Sequence, residues 1–355
     1  MPRKIIINGE FYCNNLTGIE RVARDTIPVL DKLAAPGEIE LVIPKNARNV
    51  PEVKNIALVK LDYELHSFPK WQQFVFQKYV LKNHGIALDF GNAMPYFCPS
   101  ISYIHDIYCK LFPNDFHTKN DKKVQFYNCL MYKRIAKKAK KIIAVSEYTK
   151  KTIVDTYHIS PERIEVIYNG LSPSYIATLL DENIFVKHPI LLEKDFYFTL
   201  GSLSTRKNLK WIARHAELYP NDFFAISGKI LENVIPPELE SLRTAKNVLF
   251  LGYLSDGEVK ALMEKCKAFV FPSYFEGFGI PPLEALSCGA KIIISDSTCL
   301  PEIYGETAHY INADKPNVDL DKILQEKVSA PDEILSKFSV ENTGRKLYGI
   351  LKEYI

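Results

Sequence analysis

The sequence lacks any arrangement of cysteines that would indicate disulfide bonds or a zinc site. It has seven cysteines, an odd number, and no two of them form a C-x-x-C pattern. Scattered thiols of this kind are typical of proteins in a reducing compartment. We therefore expect a cytoplasmic protein without a disulfide framework or structural zinc.

Long apolar runs are also missing. No stretch of about 18 apolar residues, the length that indicates a transmembrane helix, occurs in the chain. The short apolar run near the N-terminus is not typical of a signal peptide, so any work at a membrane would be peripheral. The formal net charge of +3 is too small to indicate nucleic-acid binding by itself.

Strand-like and helix-like segments alternate along the chain. Apolar runs of strand length, such as Ile39 to Ile43, are separated by segments with helical periodicity, such as the one that begins near Gly18. The alternation is interrupted at residues 171–194, which look irregular, and restarts with the run Phe196 to Leu200. Such a pattern predicts parallel, doubly wound α/β sheets in two successive sets.

Two domains are therefore expected, and 355 residues agree with that number as a soft prior. We place a Rossmann-like N-terminal domain, expected on the acceptor side, at residues 1–180. A second Rossmann-like domain, expected to bind the donor, is placed at residues 190–335, with the two facing a cleft. Ligands of such sheets bind at the carboxyl ends of the strands. Residues that directly follow predicted strands are the first candidates for a functional site.

The segment Phe271 to Gly289 carries the strongest indication of function. A strand-like apolar run leads into a loop with Glu276 and two glycines, and a predicted helix with Glu284 follows. Glycine lets a backbone approach a ligand closely. Pro281 and Pro282 suit the first turn of a helix, whose N–H groups and dipole attract anions. Each feature alone fits an ordinary strand, turn and helix, but together they favour a nucleotide-sugar diphosphate.

This segment resembles the E-x7-E signature of the retaining glycosyltransferases of family 4, which have the GT-B fold. In that family the second glutamate binds the nucleotide ribose, and the first lies beside the donor sugar. The amides of the loop between them contact sugar and phosphate. The resemblance implies that Glu284 holds the ribose, that Glu276 orients the donor sugar, and that Phe278 and Gly279 bind the donor.

A basic turn follows the first predicted strand of the second domain. Arg206 and Lys207 could neutralise a diphosphate leaving group, although solvated basic turns are common. The turn resembles the family's cationic turn, whose side chains bind the donor phosphates, and Ser202 in the same turn is a further expected donor contact. We thus expect cations on one flank of the donor and acids on the other.

Two residues of the first domain are further candidates. Gly18 stands in a T-G-x-x-R sequence that resembles the family's first loop, where a glycine keeps side chains away from a phosphate. Contacts of this loop with the acceptor are an equal alternative. His105 begins a His-Asp pair that resembles one close to the donor sugar in the family, although a lone histidine at a strand end is more often structural.

The segment Lys119 to Lys141 combines many lysines with aromatic and aliphatic residues. Such a surface suits an anionic membrane, and it equally suits a helix that covers the sheet with a solvated basic face. The apolar residues of this segment are Phe126, Tyr127, Leu130 and Met131. An earlier predicted helix adds Trp71, Phe74, Phe76 and Tyr79. Peripheral contact with the inner face of the plasma membrane follows from the first interpretation.

No metal or cofactor is expected besides the substrate. Asp319-x-Asp321 has the spacing of a metal-binding motif, but we interpret it as surface carboxylates at the start of a helix, where the dipole favours them. The resemblance agrees, because GT-B enzymes normally need no metal. Residues 336–355 resemble the family's closing helix, which often crosses back to the first domain.

The predicted function is that of a retaining hexosyltransferase in bacterial surface polysaccharide assembly. It would move a sugar from a nucleotide-diphosphate donor to a hydroxyl of a growing, lipid-linked glycan. GDP-mannose is the first expected donor, and UDP- and dTDP-sugars stay open. The alternatives are a nucleotide-sugar epimerase or phosphorylase of the same fold, and an inactive GT-B subunit that binds glycans.

Overall fold

The computed structural model describes residues 3–200, 204–228, 239, 242 and 244–355. The chain divides into two compact units. Unit 1 comprises Met1–Ser172 and Phe338–Ile355, and unit 2 comprises Pro173–Lys337. The division lies near the irregular joint of the sequence analysis, but residues 173–180 group with unit 2, and the C-terminal segment groups with unit 1.

Unit 1 is built on a seven-stranded sheet in the order β3-β2-β1-β4-β5-β6-β7. Its strands are β1 (Ile5–Asn8), β2 (Ile39–Ile43), β3 (Ala57–Lys60), β4 (Ile86–Asp89), β5 (Ser100–Ile104), β6 (Lys141–Ala144) and β7 (Ile164–Val166). Every pairing is parallel. Helices cover both faces of such sheets, which explains why the apolar runs of β1 and β2 are buried throughout while the edge strand β3 is largely exposed.

The helices of unit 1 follow its strands. They are α1 (Gly18–Leu33), α2 (Phe68–Lys70), a π-helical stretch (Trp71–Phe76), α3 (Gln77–Lys82), α4 (Tyr108–Leu111), α5 (Lys119–Lys138) and α6 (Glu147–Tyr157). Ser146 caps α6, since its hydroxyl accepts a hydrogen bond from the backbone of Thr149 at 3.1 Å. Serine is among the residues preferred at this position.

Unit 2 is built on a second parallel sheet, in the order β10-β9-β8-β11-β12-β13. Its strands are β8 (Tyr197–Leu200), β9 (Phe224–Ser227), β10 (Val248–Gly252), β11 (Ala268–Phe271), β12 (Ile292–Ser295) and β13 (His309–Ile311). The prediction of two doubly wound α/β domains is confirmed. In each sheet the strand order reverses once, between β1 and β4 in unit 1 and between β8 and β11 in unit 2.

The helices of unit 2 include three that the sequence did not reveal. Residues 171–194 were expected to be irregular, yet they contain α7 (Pro173–Ala177), α8 (Asn183–Lys187) and α9 (Ile190–Glu193). Helices of five residues or fewer are too short to show a periodic pattern. The others are α10 (Leu209–Leu218), α11 (Asp256–Lys265), α12 (Ile280–Ser287), α13 (Leu300–Tyr304), α14 (Leu320–Ile323) and α15 (Asp332–Lys337).

The C-terminal helix α16 (Val340–Lys352) packs within unit 1. Gly344 lies so close to α1 that a Cβ there would be 2.5 Å from a methyl group of Val29. At the other end of α16, Glu38 accepts hydrogen bonds from Tyr348 at 2.8 Å and from Lys352 at 2.7 Å. The close helix contact and the paired charge hold the end of the chain on the first sheet.

Candidate functional site

The candidate site of unit 2 lies where its strand order reverses. β8 and β11 are neighbours, with Phe198 opposite Phe269, and they run parallel. The chain therefore leaves both strands at the same edge of the sheet, although the two exits are about seventy residues apart in sequence. Ligands of open α/β sheets bind at such a switch point.

Glu276 lies at the centre of this edge, between the two predicted cations. Its Oε2 accepts a hydrogen bond from Arg206 at 3.1 Å, and its Oε1 accepts one from Lys207 at 2.7 Å. The hydroxyl of Ser273 donates a third at 2.8 Å. The expectation of acids and cations on opposite flanks was wrong, because the neighbouring strands bring these side chains into one cluster.

The electrostatics of the cluster keep Glu276 ionised. Its side chain is only 7% exposed, and burial alone would raise the pKa of the carboxyl. The charges of Lys207 and Arg206 and the hydrogen bonds outweigh that effect and hold the pKa below its usual value. Two cations with one carboxylate leave one positive charge in excess, which favours an anionic ligand.

Hydrogen bonds from the Asn208 side chain and from the backbone fix the basic turn to the loop after β11. Asn208 has a left-handed φ of 56°, and its side-chain amide donates to the carbonyls of Pro272 at 3.0 Å and Ala313 at 2.8 Å. The backbone N–H of Tyr274 donates to the carbonyl of Arg206 at 3.1 Å. Turn and loop therefore move as one piece, which preorganises the cations.

A second layer, from the segment after β12, supports the Glu276 loop. The backbone N–H of Glu276 donates to the hydroxyl of Thr298 at 3.2 Å, and the thiol of Cys299 donates to the Glu276 carbonyl at 3.3 Å. Tyr304 donates from its hydroxyl to the carbonyl of Gly279. The sequence analysis did not identify these residues, since nothing in their local pattern shows that β12 lies beside β11.

The backbone conformation and the packing at position 279 require a glycine. Its φ of 83° is in the left-handed region, and a Cβ would lie 2.6 Å from a methyl group of Leu300. α12 begins at the next residue, so Pro281 and Pro282 occupy its second and third positions. The prolines thus lie in the first turn, as expected, but proline has no N–H, so these two residues cannot donate to an anion. The backbone donors left at the start of the helix belong to Gly279 and Ile280.

The other predicted donor contacts of unit 2 are largely buried. Glu284 lies on α12 and is 8% exposed, and Phe278 is 3% exposed. The assignments of Glu284 to the ribose and of Phe278 to the donor stay predictions. Ser202 lies outside the described residues.

The candidates of the first domain lie in unit 1, at the carboxyl side of its sheet. Gly18 is the first residue of α1, and its role stays a prediction. His105 directly follows β5 and is 7% exposed. Its Nε2 donates to the carbonyl of Phe90 at 2.7 Å, and burial lowers the pKa of the ring. His105 is therefore neutral near pH 7, and Nδ1 is its acceptor nitrogen.

Asp319 and Asp321 have structural roles. Asp319 is the N-cap of α14 and accepts from the backbone of Lys322 at 3.0 Å, as expected for a carboxylate at a helix start. Asp321 forms an ion pair with Lys267 and accepts from Tyr197 at 2.6 Å. In the part of the chain that the structure describes, no group of three or more histidines, cysteines and acids is placed to hold a metal ion.

The basic segment forms α5 as predicted, but its apolar residues divide in two. Met131 is part of the core, whereas Phe126 is 73% exposed. The earlier helix divides likewise, since Trp71 and Phe76 are fully buried and Phe74 is 73% exposed. Among the described residues, no helix has both the length and the apolar character that a bilayer crossing requires.

Two family models match consecutive parts of the chain. The model of glycosyl transferases group 1 matches residues 181–324, which include the whole Glu276 cluster. The model of glycosyltransferase family 4 matches residues 80–175. Over these residues the chain is similar to glycosyltransferases of group 1 and family 4. This confirms the resemblance drawn from the Phe271–Gly289 segment, and with the two parallel sheets it establishes the GT-B fold.

Curated relatives of this chain include bacterial mannosyltransferases. It is 32% identical over 179 residues to the serotype-specific mannosyltransferase WbdA of Escherichia coli, a match of 47% of this chain and 22% of WbdA. It is 29% identical to the O-antigen chain mannosyltransferase RfbU of Salmonella typhimurium over 59% of this chain and 56% of RfbU. The match thus spans about a fifth of one relative and just over half of the other.

A solved structure resembles the whole chain. Anabaena HepE, in complex with UDP-glucose, superimposes with a TM-score of 0.67 at 16% identity, over 99% of this chain and 100% of HepE. At this identity the likeness concerns the fold. The similarity therefore extends beyond the segments matched by the family models.

Proposed function

We propose that the protein transfers a hexose from a nucleotide-diphosphate sugar to a hydroxyl of a growing glycan and retains the anomeric configuration. The observation that carries this proposal is the cluster of Arg206, Lys207 and Glu276 at the switch point of unit 2. It has one positive charge in excess, fixed geometry and low exposure. These are the properties required to bind a diphosphate and to stabilise it as a leaving group.

The proposed chemistry needs no base from the protein. The bond between the anomeric carbon and the phosphate oxygen breaks, and Arg206 and Lys207 stabilise the charge that develops on the diphosphate. The acceptor oxygen bonds to the same face of the sugar, and its proton passes to the departing phosphate oxygen. Glu276, held ionised, fixes both cations and offers its carboxylate to a sugar hydroxyl, while Glu284 holds the ribose.

The cations supply the positive charge that a divalent metal would otherwise provide, so we propose a metal-independent reaction. Mannose from GDP-mannose is the first choice of donor, supported by the names of the relatives WbdA and RfbU. The UDP-glucose complex of HepE keeps UDP-sugars open, and dTDP-sugars stay open as well.

The proposed acceptor is a lipid-linked surface glycan, in keeping with the O-antigen role in the name of RfbU. Peripheral contact with an anionic membrane through α5 forms part of this proposal. Its exposed lysines and the exposed Phe126 support such contact. Sedimentation with vesicles, with and without anionic lipid, tests this contact. Replacing Lys133, Lys137 and Lys138 by serine should abolish sedimentation with the anionic vesicles only.

A thermal-shift panel of nucleoside diphosphates and nucleotide sugars tests the proposal first. A ligand at about 100 times its Kd should add about 2.7 kcal/mol of apparent stability. The preferred donor is then incubated with glycan acceptors, and NMR of the product reports the anomeric configuration. Inversion would contradict the retaining mechanism.

The same assays separate the alternatives. Release of free nucleotide and altered sugar without any acceptor would favour an epimerase or phosphorylase. Binding of nucleotide sugars without transfer to any acceptor would favour an inactive glycan-binding subunit. A panel in which no nucleotide or nucleotide sugar binds would contradict the proposed function itself.

A further inference from the structure

Unit 2 begins with a short helix that depends on the rest of the unit for its place. Helix α7 (Pro173–Ala177) directly follows Ser172, where the first part of unit 1 ends. Its Tyr175 is 1% exposed, whereas the neighbouring Ile176 is 57% exposed. Isolated helices of this length are unstable in water, so contacts of the buried side with unit 2 hold α7 in place.

Lys260 of helix α11 holds the end of α7. Its ammonium group donates to three backbone carbonyls, those of Tyr175 at 3.3 Å, Ile176 at 3.0 Å and Thr178 at 2.6 Å. The last carbonyls of a helix have no partner within the helix, and the helix dipole favours a cation there. Further along, the backbone N–H of Asp181 donates to the carbonyl of Gly257 at 3.1 Å. The segment that leads into unit 2 is thus bound to α11 by its backbone.

The ring of Tyr175 connects α11 with the end of α12. Its hydroxyl donates to the sulfur of Met263, on α11, at 3.4 Å, and lies 3.9 Å from the sulfur of Cys288, the residue that ends α12. The ammonium of Lys260 lies 5.6 Å from the centre of the ring. Because protein interiors are close-packed, a buried ring with neighbours on both helices fixes their spacing.

The end of α12 is one helical turn from Glu284. Positions 284 and 288 are four apart, so the side chains of Glu284 and Cys288 share one face of the helix. Burial, followed by the nearby Glu284, raises the pKa of Tyr175. The tyrosine therefore stays a neutral hydroxyl near the carboxylate that is proposed to bind the ribose.

We propose that Tyr175 is a positioning residue of the donor site, which fixes the end of α12 and through it the direction of the Glu284 carboxylate. The inference rests on the proposed function, in which Glu284 binds the ribose. Hydrogen bonds weaken steeply when their angle is poor, so a carboxylate that accepts from two vicinal hydroxyls needs a fixed direction. Without the ring, α12 would border a cavity and could shift into it.

Calorimetric binding of GDP, UDP and dTDP, each compared with its 2′,3′-dideoxy form, tests the proposal on the full chain. Wild-type protein should prefer the hydroxyl-bearing form of the tightest diphosphate at least about tenfold, the scale of hydrogen bonds to a charged group. Tyr175→Ala should reduce this preference at least about threefold, and Glu284→Ala should abolish it. In the Glu284→Ala background, Tyr175→Ala should change the affinities by less than about twofold, because no carboxylate is left to position.

Further variants separate positioning from a general loss of structure. Tyr175→Phe keeps the ring and loses only weak bonds to sulfur, so it should keep the preference within about twofold. Tyr197→Ala is the matched control, since Tyr197 is equally buried at the start of β8, and it should leave the preference unchanged. Thermal unfolding checks each variant. If Tyr175→Ala fails to fold, Lys260→Ala, which releases the end of α7, should reduce the preference and decides by the same measure.

The possible results distinguish this proposal from the proposed function. If wild-type protein prefers the hydroxyl-bearing forms and Tyr175→Ala keeps that preference, or weakens binding equally with and without Glu284, the positioning role is overturned while the proposed function stands. If wild-type protein binds the diphosphates without this preference, the positioning role and the ribose assignment of Glu284 are both overturned. If none of the diphosphates binds, the proposed function is contradicted as well.

Discussion

The two units have the same kind of switch point, yet they treat the acid that follows the central strands in opposite ways. In unit 2, Glu276 is buried against Arg206 and Lys207, and its pKa is held below the usual value. In unit 1, Glu10 is buried beside Asp89, and its pKa is raised well above the usual value. Both acids are buried, but at Glu276 two cations outweigh the effect of burial on the pKa, whereas at Glu10 burial is the main cause of the raised pKa and the nearby Asp89 adds to it.

This difference indicates a division of tasks. A fixed cluster with excess positive charge suits a diphosphate. A buried carboxyl with a raised pKa, in a pocket lined by aromatic rings, suits an uncharged, hydroxyl-bearing ligand. Topology alone would assign both edges to ligands, whereas the charges around each acid distinguish the kind of ligand that suits each.

The largest expected effect comes from removing a cation of unit 2. Arg206→Ala should lower kcat about 10²- to 10³-fold, the usual loss for a preorganised group that stabilises developing charge. Steady-state kinetics with the preferred donor measure it. Arg214→Ala is the matched control, since Arg214 is an exposed arginine of unit 2 that pairs with Glu217. Equal activity of both variants would contradict the role of the cluster.

Glu276→Gln should destabilise the protein at neutral pH by about 1–3 kcal/mol, because it leaves two partly buried cations without their anion. The depressed pKa of Glu276 also means that wild-type protein loses this stability as the pH falls below about 4.3, the pKa of an unfolded glutamate. The variant should lack that acid-dependent loss. Urea unfolding across this pH range measures both effects, and identical curves would contradict the account.

Glu284→Ala should raise the donor KM at least about tenfold with a smaller change in kcat. The reason is that the contact with the ribose has the same strength in the ground state and in the transition state. Glu264→Ala, at an exposed glutamate of α11, is the control. A change confined to kcat would assign Glu284 to the chemical step instead of the ribose.

The smallest effect is expected from Asp89→Asn in unit 1. Burial raises the pKa of Asp89 to about 7, against about 3.9 in an unfolded chain. The native state therefore binds more protons than the unfolded state between these values, and the free energy of unfolding falls as the pH rises through this window. The variant cannot titrate and should show a shallower fall in urea unfolding. An unchanged slope would show that Asp89 is not protonated in the native state.

Local patterns were enough to predict much of the fold and the ends of the key strands. β2, for example, begins and ends at the predicted residues, Ile39 and Ile43. The contact between Arg206 and Glu276 could not be predicted from local sequence patterns, because it depends on β8 lying beside β11. Glu10 carried the same signal as Glu276, an acid in the loop after a buried strand, and the sequence analysis did not use it.

The π-helical stretch Trp71–Phe76 shows a second limit of prediction from sequence patterns. Regular helical periodicity places residues three and four apart on one face. In the π-helical stretch the hydrogen bonds span five residues, so Trp71 and Phe76 share the buried face and Phe74 is exposed. The periodicity of the sequence does not reveal such a local change of pitch.

Calorimetric binding of nucleosides and their diphosphates tests the central claim most directly. Wild-type protein should bind the preferred nucleoside diphosphate far more tightly than the bare nucleoside, because Arg206 and Lys207 contact the phosphates. A double variant, Arg206→Ala with Lys207→Ala, should bind both with similar, weak affinity. If the double variant keeps the wild-type preference for the diphosphate, the cluster of unit 2 is not the phosphate site.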